Sequence, residues 1–152
     1  MKRSTIVEII SALFILLFVY TGTSKLFEGV KFETLLRQSP LIGNYASIIS
    51  WFLPISELVI VLLVVFPKTK LFGFYCSGIL MAIFTLYIAY MMAFAAKLPC
   101  SCGGVLKHMT WKQHLVFNIF FIFLAIWAVR LISSGNDQNL TLANTAPLQT
   151  ET

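Results

Sequence analysis

Apolar residues are gathered into long runs separated by short polar segments, and this pattern predicts the fold. The runs cover residues 6–20, 48–66, 71–94 and 114–132. A helix crosses the hydrocarbon core of a bilayer with roughly 20 residues, at about 1.5 Å rise per residue. The last three runs have that length, and the first reaches it if its helix continues to about Leu26. The pattern therefore predicts an all-α, polytopic membrane protein built as a bundle of four transmembrane helices.

The polar segments predict how these helices are connected. Segment 24–38 mixes apolar and charged side chains, so we expect an amphipathic helix in the membrane interface after the first span. Segment 67–70, Pro-Lys-Thr-Lys, is so short that the second and third helices must be antiparallel neighbours. From Ser133 the chain is polar without apolar periodicity, which predicts a disordered tail. The chain thus divides into a transmembrane domain, 1–132, and a C-terminal tail, 133–152.

Composition and charge support a membrane protein and exclude one class of partner. With 59% hydrophobic and 11% charged residues, the chain has too little polar surface to coat a soluble globule, so its main partner is the lipid bilayer. The net charge is +5, but the eleven Lys and Arg residues are scattered over the loops rather than forming a basic patch. We therefore expect no nucleic-acid partner.

The orientation follows from the cations at the helix ends. Lys2 and Arg3 precede the first run, and Lys68 and Lys70 lie in the short hairpin, where the positive-inside rule is strongest. These positions predict cytoplasmic termini and an extracytoplasmic loop at 97–113, as in a bacterial inner membrane protein with a periplasmic loop. The first run also resembles a signal peptide, but no Ala-x-Ala-like cleavage site follows it, so we expect it to remain as a span.

Two cysteines, Cys100 and Cys102, lie one residue apart in the predicted outer loop. A disulfide between such close residues closes a small, strained ring that exchanges readily. Lys97, about one turn before Cys100, and Lys107 favour the reactive thiolate. The loop is therefore a candidate for thiol–disulfide exchange, with Cys100 as the attacking thiol. Cys76 lies near the start of the third run, a whole span away from the other two cysteines, and is expected to be a packing residue.

Metal binding is the main alternative for this loop. Cys100, Cys102, His108 and His114 supply sulfur and nitrogen ligands that zinc accepts. Their spacing is not that of a usual zinc finger, however, and His114 falls at the start of the fourth run. We therefore assign no metal and favour redox chemistry, and a purely structural disulfide is the third alternative.

Polar residues inside the predicted spans are further candidates, because buried ionisable groups are costly in a membrane. Glu57 falls near the middle of the second span, and Lys25 is its only plausible cationic partner. The two are expected to form either a structural clasp or part of a proton or quinone site. His114 and Asn118 lie one helical turn apart and should face the bundle below the cysteine loop, where His114 is suited to an interhelical bond or to proton transfer.

Three motifs in this order resemble the methylamine-utilisation protein MauE family, within the wider group of DoxX-like four-helix membrane proteins. The motifs are Tyr20-Thr-Gly-Thr-Ser-Lys25-Leu26, then Pro54-x-x-Glu57, and then Pro99-Cys-Ser-Cys-Gly-Gly104 with Trp111-x-x-His114-x-x-x-Asn118. The resemblance covers about residues 5–132. The family's loop often has Cys-Gly-Cys followed by Phe-Gly, where this chain has Cys-Ser-Cys followed by Gly-Gly.

The resemblance implies a redox-associated inner-membrane protein that supports disulfide formation or electron transport for periplasmic proteins, including maturation of methylamine dehydrogenase. A periplasmic thioredoxin-fold protein is the expected partner, and a membrane quinone is a candidate electron acceptor. On this interpretation the chain is a component of a thiol–disulfide oxidoreductase system. The alternatives are a non-enzymatic membrane scaffold for a thioredoxin-like partner and a metal-binding or small transport module.

Overall fold

The computed structural model describes residues 3–39, 41–94 and 110–145, and within these ranges the chain is helical and has no strand. The helices are α1 (Arg3–Phe27), α2 (Gly29–Arg37), α3 (Ala46–Val65), α4 (Lys70–Phe94) and α5 (Trp111–Thr145), with a 3₁₀ turn at Gly43–Tyr45 before α3.

The predicted four-span bundle is confirmed. The segments long and apolar enough to cross a membrane are Arg3–Phe27, Gly43–Val65, Lys70–Phe94 and Lys112–Ser134. The first helix continues to Phe27, as its short apolar run required. Helix α5 extends beyond its apolar part to Thr145, so the polar segment up to that residue is helical where disorder was expected. A single Gly135 is not enough to end a helix. The division into a domain and a tail stays a prediction.

Helix α2 differs from the amphipathic helix expected at 24–38. It begins only at Gly29, because residues up to Phe27 belong to α1. Phe32 and Leu36, four residues apart, are buried on the same face and pack around Ala46 at the start of α3. These two apolar side chains of the short helix therefore pack against the bundle.

The core of the bundle is organised around Phe14 of α1, which is completely buried. Its ring meets Phe74 of α4 and Phe121 of α5 edge to face, with ring centroids 5.6 and 5.2 Å away. Such edge-to-face pairs add to the stabilisation from apolar burial. Cys76 is a half-buried free thiol packed against this cluster, which confirms its predicted packing role.

The direction of the helices decides which connections share an end of the bundle. Lys70, at the start of α4, donates to Glu8 near the start of α1 with an N–O distance of 2.6 Å. The α3–α4 hairpin therefore lies at the same end as the beginning of α1. Since α4 leaves this end and α5 returns to it, the end of α4 and the start of α5 lie at the opposite end, together with α2 and the end of α1.

Gly73 allows α3 and α4 to pack closely beside their hairpin. A Cβ atom at Gly73 would lie 2.8 Å from Val64 Cγ2 and 2.9 Å from the Leu63 carbonyl carbon. Gly73→Ala is therefore expected to lower the free energy of unfolding by about 1–3 kcal/mol through overpacking. Gly78→Ala in the same helix is the matched control, because its Cβ would lie 3.5 Å from Ala125 Cβ, an ordinary contact. Reversible unfolding in detergent measures both, and equal stabilities would contradict the close approach.

Candidate functional site

A cavity of about 250 Å³ lies in the half of the bundle that α2 covers. Its walls come from all five helices and are mainly apolar. Four polar residues singled out from the sequence line this one cavity: Lys25, Glu57, His114 and Asn118. Residues from three separate transmembrane helices are thus brought together at one place inside the span.

Lys25 and Glu57 form a buried ion pair. The Lys25 ammonium donates to Glu57 Oε1, and the two residues are 8% and 1% exposed. The pairing expected from the sequence is therefore present. Lys25 Nζ also lies 5.3 Å from the centroid of the Phe84 ring, within the range of a cation–π contact. Both contacts compensate part of the cost of holding the lysine away from water.

The local sequence explains why α1 can bring Lys25 to this position. Gly22 lies one turn before Lys25, and a Cβ atom there would be 3.4 Å from both Glu57 Oε2 and the Pro54 carbonyl oxygen. The small residue lets the two helices approach, as at many helix crossings in membranes. The Gly22-x-x-Lys25 and Pro54-x-x-Glu57 motifs are therefore two halves of one contact between α1 and α3.

Two buried polar atoms at this site have no hydrogen-bond partner among the described residues: Glu57 Oε2 and Asn118 Nδ2. Asn118 is 3% exposed and shares its inward face with Phe121 and Ala125, which confirms the predicted buried face of α5. His114, one turn earlier, is less buried and lines the cavity. An unpaired buried donor or acceptor costs about 1–3 kcal/mol. Both atoms belong to residues that line the cavity, so a ligand that reached them would offset part of that cost.

Ser39, two residues after the end of α2, connects this helix to α4 beside the cavity. The Tyr87 hydroxyl of α4 donates to Ser39 Oγ at 3.0 Å, and Ser39 Oγ lies 3.9 Å from Met91 Sδ. Phe32 and Leu36 of α2 form part of the cavity wall. The cavity is consequently covered by α2 at the end of the bundle where α4 ends.

Several of these positions were missed in the sequence analysis. Thr21 precedes Lys25 by one turn and lines the cavity, a position that i, i+4 spacing alone could have indicated. Phe84 and Tyr87 give no such signal, because α4 is apolar on all faces and its register against α1 depends on the packed bundle.

The remaining predicted site residues, Cys100, Cys102, Lys97 and His108, lie outside the described residues. The chain carries them in the α4–α5 connection, whose two ends flank the covered end of the bundle. No cluster of three or more His, Cys, Asp or Glu side chains occurs in the ranges 3–39, 41–94 and 110–145. The zinc alternative depends on residues beyond those ranges and stays a prediction.

The fold and the site together define a class: a polytopic membrane protein of four spans with a buried polar site between its helices. Within that class the chain belongs to the MauE family, described as methylamine utilisation protein MauE, whose model matches residues 3–131. The family assignment suggested by the three motifs is therefore confirmed, and the chain is a MauE-like multi-pass membrane protein. Comparison with curated proteins and with solved structures gave no match.

Proposed function

We propose that this MauE-like protein supports the maturation of extracytoplasmic proteins by thiol–disulfide exchange through Cys100 and Cys102. The observation that carries the proposal is the position of the polar cavity, at the end of the bundle where α4 ends and α5 begins, because the sequence carries both cysteines between these two helices. A protein that passes electrons from thiols into the membrane needs a reactive pair at the water interface and a polar site within the span. The sequence of this chain supplies the cysteine pair, and the cavity lined by Lys25, Glu57 and Asn118 supplies the polar site.

The proposed exchange has two steps, and each transfers two electrons and two protons. A dithiol of the partner, a protein of the thioredoxin fold, transfers two electrons and two protons to the Cys100–Cys102 disulfide, so that the partner gains a disulfide and this protein a dithiol. Two electrons and two protons then pass from Cys100 and Cys102 to a membrane quinone, which becomes a quinol while the disulfide is restored. Lys97 stabilises the Cys100 thiolate, and His114 carries protons between the loop and the cavity.

The redox state of the two cysteines in intact cells tests this function. Alkylation followed by a gel shift should show a mixture of oxidised and reduced protein that responds to added reductant. A pair that stays fully oxidised would replace this proposal with the scaffold function, in which the disulfide is structural. Thiols that resist alkylation until a chelator is added would favour the metal-binding module formed with His108.

The proposed orientation places the termini in the cytoplasm and the cysteine connection outside the inner membrane. After mild reduction of intact cells, a membrane-impermeant maleimide should therefore label Cys100 and Cys102. Cys76 packs against the bundle core and should react little, so a variant keeping only Cys76 is the background control. Labelling of the pair only after lysis would reverse the orientation and would contradict exchange with periplasmic proteins.

A further inference from the structure

We propose that the cavity between Lys25, Glu57 and Asn118 is the binding site for the head group of a quinone, held in either of its redox forms. This inference deepens the proposed function by assigning its electron acceptor to named residues, and its binding part can be tested without the cysteines. It rests on the charge balance of the cavity, its unpaired atoms, its size and its opening.

The charge balance selects a neutral ligand. Lys25 and Glu57 neutralise each other, and among the residues that the structure describes no other Lys, Arg, Asp or Glu lines the cavity. An anionic lipid head group would compete with Glu57 for the lysine, and a cationic one would compete with Lys25 for the carboxylate. Either would leave an excess charge in a mainly apolar space, which is costly.

The unpaired atoms select a head group whose oxygen can both accept and donate. Asn118 Nδ2 is a free donor and suits the carbonyl oxygen of a quinone. Glu57 Oε2 has no hydrogen-bond partner within bonding distance among the described residues, although the Thr21 side chain interacts with the same carboxylate, and it suits the hydroxyl of the corresponding quinol. When a quinone takes up two electrons and two protons, its oxygens change from acceptors to donors. A site with one unpaired group of each kind can satisfy both forms.

The size and opening of the cavity suit a ring carrying a long apolar tail. An apolar cavity of about 150 Å³ is enough to bind benzene, so about 250 Å³ accommodates a larger ring head group. The wall includes Ile83 of α4, which is 56% exposed, and the half-buried Ile49 and Leu53 of α3. The cavity therefore reaches the apolar outer surface of the bundle, where a tail would continue among the lipid chains.

Direct binding to the purified full-length protein tests the site. The protein is placed in nanodiscs of quinone-free phospholipid and titrated with a short-tailed benzoquinone and a naphthoquinone. The alkylbenzene with the same tail and a fatty acid of equal length serve as comparison ligands. We expect saturable binding of at least one quinone and no comparable binding of the alkylbenzene or the fatty acid. Equal binding of the alkylbenzene, or binding of the fatty acid alone, would show an acyl-chain site and overturn the inference.

Asn118→Leu is the decisive variant because it keeps the size of the side chain and removes its unpaired donor. Quinone binding should weaken roughly three- to tenfold, the loss expected for one hydrogen bond. In the absence of ligand the variant should be about as stable as the wild type, since the amide group that it removes has no hydrogen-bond partner for Nδ2 among the described residues. Ser77→Ala is the control, because Ser77 is fully buried, donates to Gly73 O of its own helix and is not among the described residues that line the cavity. Unchanged affinity in Asn118→Leu would overturn the assignment.

A protein carrying both Cys100→Ser and Cys102→Ser separates this inference from the proposed function. It should bind the quinone with wild-type affinity, because the binding residues lie within the helices. If the wild-type protein binds no quinone but still exchanges thiols, the inference fails and the proposed function stands with another acceptor. If quinone binds but no thiol exchange occurs, the site stands and the proposed function fails.

Discussion

Cys102→Ser should accumulate as a covalent adduct with its partner protein, visible on a gel as a band that disappears with reductant. The oxidised partner, which is the product of the proposed reaction, can still be attacked by the Cys100 thiolate in the reverse direction. The mixed disulfide that forms then persists, because without Cys102 this loop has no second thiol to resolve it. Cys100→Ser should give no adduct, because it removes the attacking thiol. Both single variants should lose exchange activity completely, since a full cycle needs both sulfur atoms.

Cys76→Ser is the matched control for this experiment. Cys76 is half-buried against the core, and its replacement should leave abundance and activity close to wild type. Retention of activity in both loop variants would mean that the pair is structural, and the scaffold function would then account for the protein. An adduct in Cys100→Ser instead of Cys102→Ser would exchange the roles assigned to the two cysteines.

Lys25→Met should be strongly destabilising, with a loss of about 3–5 kcal/mol in the free energy of unfolding, because Glu57 is left buried without its partner. Glu57→Gln should have a similar effect through Lys25. From sequence alone this second loss is expected to be moderate, since a lysine at a helix end can extend to the interface. In the structure Lys25 is only 8% exposed and lines the cavity together with residues of α2, so its ammonium group does not reach the interface.

The double variant Lys25→Met with Glu57→Gln distinguishes an unpaired charge from lost packing. It should recover most of the stability lost in either single variant, since neither buried charge remains. The control pair is Lys70 with Glu8, in which the Glu8 side chain is 63% exposed, and Lys70→Met should cost at most about 1 kcal/mol. Equal losses at the two lysines, measured by unfolding in detergent, would contradict the special position of Lys25.

The sequence predicts the helices of the bundle more completely than it predicts the environment of the residues at the site. Apolar run lengths predict the four spans because crossing the hydrocarbon core requires a helix of fixed length. Lys25 and Glu57 can be paired from sequence because each is the other's only plausible partner within the membrane. The burial of Lys25 cannot be predicted in this way, since it depends on how α2 folds back and packs Phe32 and Leu36 against α3.

The cavity illustrates the same limit. Asn118 is placed on the correct inward face by helical spacing, but the missing partner of its amide becomes apparent only when α1, α3 and α4 are assembled around it. Phe84 and Tyr87 belong to a helix whose sequence is apolar throughout, so no pattern distinguishes their inward face. Pattern therefore predicts which helices form, whereas the contents of the space between them depend on tertiary packing.

The Lys25–Glu57 contact also bears on how the chain enters the membrane during synthesis. A charged residue at the bilayer centre adds about 2.5–3.5 kcal/mol to the cost of transfer. That cost applies to Glu57, near the middle of its span, and a smaller one applies to Lys25, near the end of α1. Lys25 is made first, near the end of α1, and Glu57 arrives with the next span. If the first two spans leave the translocon as a neutral hairpin already joined by this contact, each charge is compensated at the step at which it enters the lipid. The ion pair would then contribute to biogenesis as well as to the finished protein.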